Sequence, residues 1–259
     1  MAVEAKKTEP MLPEQLTDML ALARKSDSVE LKLTVPDSDQ RSAIAALDMD
    51  PLEAQVRQVF FFDTPDLSLN KRGVVMRARR VQGRNHDSVV KLRPVVPDEL
   101  PDKVRKSPNL VTEVDAMPGG FVCSAAMKSE VEPTRIRQAV SGALPLRKLF
   151  SKEQRAFYAE HAADTDLDSL SVLGPINLLK LKLSPKEFGR RMVAEAWFYP
   201  DGSRILELST KCTPDEAITV AAAAKSFLAD RGINVTGEQQ TKTATALKFF
   251  AAELNEATS

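Results

Sequence analysis

The sequence predicts an α+β protein: antiparallel β-strands that curl into a closed or nearly closed barrel, with helices covering the outside. Three observations carry that expectation. Short segments with a two-residue hydrophobic period recur between Ser28 and Lys211, as strands with one apolar face do. Segments with helical spacing lie before, between and after them. The non-apolar faces of the strands carry paired charges rather than mixed polar residues. Like charges two apart on a strand repel unless opposite charge lies between them. A barrel of ~8 strands can turn such faces inward around one small ligand.

The 259 residues suit one large β-rich domain, or such a domain with a helical appendage. The 36 basic and 36 acidic residues cancel, so the whole surface has no attraction for nucleic acid or an anionic membrane, and any anion binding must come from local clusters. Cys123 and Cys212 are too few and too scattered for a disulfide framework or a zinc site, and read as reduced thiols. Met1 to Pro10 lacks the apolar core of a secretory signal, and no apolar run approaches the ~20 residues of a membrane span. The expectation is a cytoplasmic protein with neither nucleic acid nor membrane as partner.

Residues 1–26 are expected to be a polar tail followed by a short helix, in which Leu12, Leu16, Met19, Leu20 and Ala23 have helical spacing. Residues 27–212 form the main domain. Ser28–Val35 alternates, with Glu30 and Lys32 on one face and Leu31 and Leu33 on the other. Gln40–Leu47 is a short helix. Arg57–Asp63, carrying Phe60 to Phe62, is a strand, and Asp63-Thr64-Pro65-Asp66 signals a turn or helix start. Gly73 opens a strand with Arg77 and Arg79 on one face. Lys91 and Arg93 share a face of the next strand, which Pro94 ends. Pro97–Pro108 reads as loop, Leu110–Ala116 as a strand with Glu113 and Asp115, and Met117–Gly120 as a turn. Pro133–Gly142 is a helix with Pro in its first turn. Leu149–Tyr158 is expected as a strand carrying Lys152 and Arg155, and Asn177–Ser184 as one carrying Lys180 and Lys182. Arg191–Tyr199 and Arg204–Lys211 flank Asp201-Gly202, a hairpin signal, and the second arm carries Glu207, Ser209 and Lys211. Residues 213–259 are expected as C-terminal helices packing on the barrel: one capped by Thr213 with Pro214, and one starting at Thr236 or Gly237 and ending near Leu254.

An interior holding both Arg/Lys and Asp/Glu suits a triphosphate or polyphosphate. Several cations must replace the water around such a polyanion, and the Arg fork matches phosphate oxygens. Carboxylates cannot touch phosphate, but they can hold Mg²⁺ or Mn²⁺, hard cations that take oxygen ligands. His86 and His161 read as loop residues, Trp197 and Phe60–Phe62 as packing.

The order of these motifs resembles the CYTH family, the triphosphate tunnel metalloenzymes, which includes an adenylate cyclase class and thiamine triphosphatase. The family's first strand reads Glu-x-Glu-x-Lys; here Ser28-Val29-Glu30-Leu31-Lys32 matches its second Glu and its Lys. Phe61-Phe62-Asp63-Thr64-Pro65-Asp66-Leu67, Arg72-Gly73, Arg77-Ala78-Arg79 and Lys91-Leu92-Arg93-Pro94 follow in the family's order. Glu113 and Asp115 resemble its acidic middle strand, Arg155 its later basic strand, and Leu206-Glu207-Leu208-Ser209 its last Glu-x-Glu strand. The resemblance implies an eight-stranded antiparallel β-barrel, open through its middle as a tunnel that binds triphosphate, and attack on a phosphoanhydride that depends on a divalent metal. By that resemblance Glu30, Glu113, Asp115 and Glu207 hold Mg²⁺ or Mn²⁺. Arg77, Arg79, Lys91, Arg93 and Arg155, with Lys180, Lys182 and Lys211, bind substrate. Glu30 and Lys32 are catalytic, Lys32 orienting or deprotonating the attacking water. Ser28 and Ser209 stand where the family has glutamates. Hydrolysis of a triphosphate therefore stays open beside two alternatives: polyphosphate or nucleotide binding without catalysis, and adenylate cyclase activity.

Overall fold

A computed structural model describes residues 11–234, 239 and 241–258. The tail expected at 1–10 and the helix start expected at Thr236 or Gly237 lie outside them.

The strands are β1 (Ser28–Val35), β2 (Gln55–Asp63), β3 (Val74–Val81), β4 (His86–Leu92), β5 (Leu110–Met117), β6 (Gly120–Val131), β7 (Ser171–Leu183), β8 (Met192–Phe198) and β9 (Arg204–Cys212). The helices are α1 (Pro13–Ala23), α2 (Gln40–Ala46), α3 (Ser68–Lys71), α4 (Asp102–Arg105), α5 (Pro133–Val140), α6 (Lys152–Ala162), α7 (Ala217–Ala229) and α8 (Lys242–Thr258). The strands hydrogen-bond into a closed barrel in the order β1-β5-β6-β4-β3-β2-β7-β8-β9. The barrel is therefore nine-stranded rather than eight-stranded. It is also mixed rather than antiparallel, because β1 and β5 pair in parallel, from Ser28 opposite Glu113 to Leu31 opposite Ala116.

Two expectations fail for local reasons. Leu149–Tyr158 is not a strand. Ser151 caps α6: its Oγ accepts from Gln154 N at 3.2 Å, and Gln154 Oε1 accepts from Ser151 N at 2.9 Å. That reciprocal pair is a capping box and nucleates a helix. The three-residue spacing of Lys152 and Arg155, awkward on a strand, is ordinary on a helix. β6 was not expected, because its middle (Ser124, Ala125, Ala126) has no apolar alternation. The loop expected at Pro97–Pro108 contains a 3₁₀ turn at Pro97–Glu99 and the short α4.

The chain forms two compact units: 1–55, 112–123 and 178–241, and 56–111, 124–177 and 242–259. β6 and β7 run through both.

In the first unit, antiparallel register sets Glu30 opposite Lys211, Lys32 opposite Ser209 and Thr34 opposite Glu207. Glu195 lies opposite Glu207 on β8. These residues share one face of the sheet. Leu31, Leu33 and Leu208 lie on the other, towards Leu16 and Met19 of α1 and Leu228 of α7.

In the second unit, Phe60, Phe62, Met76, Ala78, Val90 and Met127 form a core with Ile136 of α5 and Phe157 of α6. Gln154 of α6, fully buried, ties that helix to the sheet: its Nε2 donates to Ser88 O and Met127 O, both at 3.0 Å, and its Oε1 accepts from Ser88 Oγ at 2.9 Å. The Asp63 motif, read from the sequence as a turn or a helix start, is a turn at Pro65-Asp66 that leads into α3. The Asp63 carboxylate accepts from the backbone N–H groups of Thr64, Leu69 and Asn70 at 2.8, 2.9 and 3.0 Å. Gly73, at φ +77°, passes so close to β4's end that a Cβ there would sit 2.3 Å from Arg93 O. The position admits only glycine. No described helix is long and apolar enough to cross a membrane.

Candidate functional site

The first unit gathers carboxylates. Parallel pairing puts Glu30 beside Asp115 and Ser28 beside Glu113, and Glu30, Glu113 and Asp115 each bring an oxygen within 4.8 Å of the others. Lys32 Nζ lies 3.0 Å from Glu30 Oε2 and 2.7 Å from Asp115 Oδ1. Lys211 pairs with Glu113. Two hydroxyls complete the set: Ser28 Oγ donates to Glu113 Oε2 at 3.1 Å, and Ser209 Oγ to Glu30 Oε1 at 3.3 Å. Glu207 is buried on the same face of β9. Further along that face, Glu195 accepts from Lys180 Nζ at 2.8 Å and from Trp197 Nε1 at 3.3 Å. Lys182, two residues on from Lys180, is exposed.

Burial acts on these groups first, and the opposite charges then outweigh it. Burial alone would raise the Glu30 pKa, but Lys32 and Lys211 bring it below the ordinary carboxylate value. Burial alone would lower that of Lys32, but Glu30, Asp115 and Glu207 push it well above the ordinary lysine value. Lys211 is raised in the same way, by Glu30 and Glu113 against burial. The carboxylates thus favour the ammonium form of Lys32, which is placed to donate to both Glu30 and Asp115.

Glu30, Glu113 and Asp115 form an anionic cluster, and Glu207 adds a carboxylate on the same face. All the candidate ligands are hard oxygens. The charge and the donor type both fit one divalent cation of the Mg²⁺ or Mn²⁺ class.

The second unit carries the basic face. Register sets Arg77 opposite Phe61 and Val89, Arg79 opposite Val59 and Asp87, and Lys91 opposite Val75. These side chains therefore lie on the face away from the core. Arg79 grips Asp87 with two bonds, Nε to Oδ1 at 2.8 Å and Nη2 to Oδ2 at 2.5 Å. Burial would raise the Asp87 pKa, but Arg79, Arg77 and Arg57 bring it below the ordinary value. The sequence reading missed Asp87 and Arg57. Both were legible from alternation, Asp87 two before Val89 and Arg57 two before Val59. Arg93 lies one residue beyond β4, where its backbone N–H donates to Gly73 O at 2.9 Å.

Arg155 departs most from expectation. It sits on α6, and its Nη1 donates to Phe150 O at 2.6 Å and Arg147 O at 3.3 Å. The guanidinium thus binds the backbone leading into the helix, and Arg155 is not on a basic strand.

No family model matches the chain, and no curated protein matches it in sequence. Solved structures do match. A candidate adenylyl cyclase from Hippeastrum, in which triphosphatase activity is dominant, superposes with a TM-score of 0.64 at 18% identity, over 85% of this chain and 94% of that one. A candidate adenylate cyclase from Bacillus halodurans gives 0.59 at 14% identity, over 85% and 97%. At such identities the likeness is one of fold: this chain has the fold of those cyclase-like proteins.

Proposed function

We propose that this chain is a CYTH-like protein whose module at 27–212 binds a triphosphate or polyphosphate and hydrolyses it with one divalent cation, Mg²⁺ or Mn²⁺. The observation that carries the reading is the cluster of Glu30, Glu113 and Asp115, bridged by Lys32, in a chain whose other charged sheet face carries Arg77, Arg79 and Lys91. The fold shared with a protein of dominant triphosphatase activity supports it.

In this reading Arg77, Arg79, Lys91 and Arg93 bind the phosphate oxygens, joined by Lys180, Lys182 and Lys211. Glu30, Glu113, Asp115 and Glu207 hold the metal, which when bound polarises a phosphoryl oxygen as a Lewis acid. Lys32 keeps Glu30 and Asp115 in place and orients the attacking water by donation. Most of the work in phosphoryl transfer is positioning and the stabilisation of charge, which suits a site rich in fixed cations. Arg155 is left out of the substrate set because it lies on α6 and not on a strand of the basic face, its Nη1 donating to Phe150 O and Arg147 O.

The test is an assay of the purified chain against tripolyphosphate, thiamine triphosphate and ATP, with Mg²⁺ and with Mn²⁺, following both phosphate release and cyclic nucleotide. Phosphate release that chelation abolishes is expected. No turnover of any of the three would reject hydrolysis.

A second reading, binding without catalysis, has its own observation. Ser28 and Ser209 bring hydroxyls, not charge, to Glu113 and Glu30, so the site has fewer anionic ligands for a second metal. On that reading the wild type binds tripolyphosphate without turnover, and Ser28→Glu combined with Ser209→Glu creates turnover.

A further inference from the structure

We propose that the first unit carries a second binding site, on the opposite face of the strands that hold the carboxylates, for a single-chain amphiphile with an anionic head group. The site is an apolar cavity of about 380 Å³ beneath α7 and α1. That volume falls in the range of small-molecule sites, which are mostly apolar with a few polar groups at defined places.

Its shape follows from the sequence of α7. Ala217, Ala221, Ala224 and Leu228, spaced four, three and four residues apart, line the cavity from the helix side. Three of these four side chains stop at Cβ, so α7 does not fill the space above the sheet. The floor is Leu31 of β1 and Leu208 of β9. Met19, Met117 and Met192 complete the wall; their unbranched side chains adapt to ligands of varied shape. Close-packed protein interiors rarely leave apolar space of this size empty.

Two features give the occupant its chemistry. Ile218, at the edge of the cavity, is 53% exposed, so an apolar chain can enter from solvent. Lys225 of α7 also borders the cavity, and among the described residues no carboxylate pairs with it. An alkyl chain in the cavity would bring an anionic head to that ammonium. A cationic head there would be repelled, and a neutral one would lose the charge-assisted hydrogen bond.

The experiment is calorimetric titration of the full chain with decanoate, decanol and decylammonium, each kept below the concentration at which it self-associates. Saturable one-site binding of decanoate is expected, with decanol weaker by about tenfold, the worth of one charge-assisted bond. Lys225→Glu should reverse the order of decanoate and decylammonium. Ala221→Phe, which fills the cavity, should remove decanoate binding while the chain stays folded by circular dichroism. Lys225→Glu is a surface change and gives its answer even if Ala221→Phe does not fold. Three results would overturn the proposal: no saturation with decanoate, equal binding of decanol, or decanoate binding unchanged in both variants. A dimer in sedimentation that Ala221→Phe dissociates would assign the cavity to a second copy of the chain and overturn it as well. None of these outcomes depends on whether the chain binds triphosphate.

Discussion

Lys32 is the residue on which the carboxylate cluster turns. Its ammonium bridges Glu30 and Asp115 with only 16% of its side chain exposed. Lys32→Met keeps the length but removes the charge, and leaves two carboxylates facing each other nearly buried. Breaking one partner out of such a group costs on the order of 3 kcal/mol, so urea unfolding of the variant should show a midpoint lowered accordingly. An unchanged midpoint would mean that Lys32 is not the counterion. The Arg79–Asp87 pair makes a prediction about pH. The folded-state pKa of Asp87 is lowered, so the pair's contribution is present above the unfolded carboxylate value and is lost as pH falls through the lower folded one. Stability of the wild type should therefore drop on acidification below about pH 4, the unfolded aspartate value. Asp87→Asn should flatten that part of the profile, which unfolding measured as a function of pH will show.

At the scale of the element, α6 and the β3–β4 corner are the sharpest cases. Gln154 satisfies two backbone carbonyls and one hydroxyl inside the second unit's core. Gln154→Leu strands those groups, and each stranded buried polar group costs about 1–3 kcal/mol. The variant should lose at least 2 kcal/mol in chemical denaturation, whereas Ser151→Ala should lose about 1 kcal/mol as an ordinary N-cap loss. Gly73→Ala should be as damaging as Gln154→Leu, because the new methyl meets Arg93 O and not a flexible side chain. These elements also show what a sequence discloses. Alternation identified β1 and β9 nearly to their ends, because their two faces differ in charge, and the Asp201-Gly202 turn placed β8 beside β9. Alternation missed β6, whose Ser124-Ala125-Ala126 centre has small side chains on both faces. It mistook α6 for a strand, although Ser151 and Gln154 are spaced as a capping box. Strand pairing is not written in any single segment, so the parallel match of β1 with β5, which brings Glu30 to Asp115, became visible only in the fold. The candidate residues were legible one by one; which of them meet was not.

At the scale of the whole molecule, the fold is shared with cyclase-like proteins at 14–18% identity. In the proposed function its charged strand faces bind the polyanion. If those faces serve one polyanion, the ligand is bound only by the native chain and must raise its stability by mass action. Tripolyphosphate with Mg²⁺ should therefore raise the melting temperature in a concentration-dependent way. The most direct test is calorimetric titration of tripolyphosphate, with Mg²⁺ present, into the wild type and into Arg77→Ala/Arg79→Ala. Saturable one-site binding that the double substitution weakens at least about a hundredfold, the loss of two charge-assisted contacts, is the predicted result. No heat with the wild type, or the same affinity in both proteins, would contradict the account.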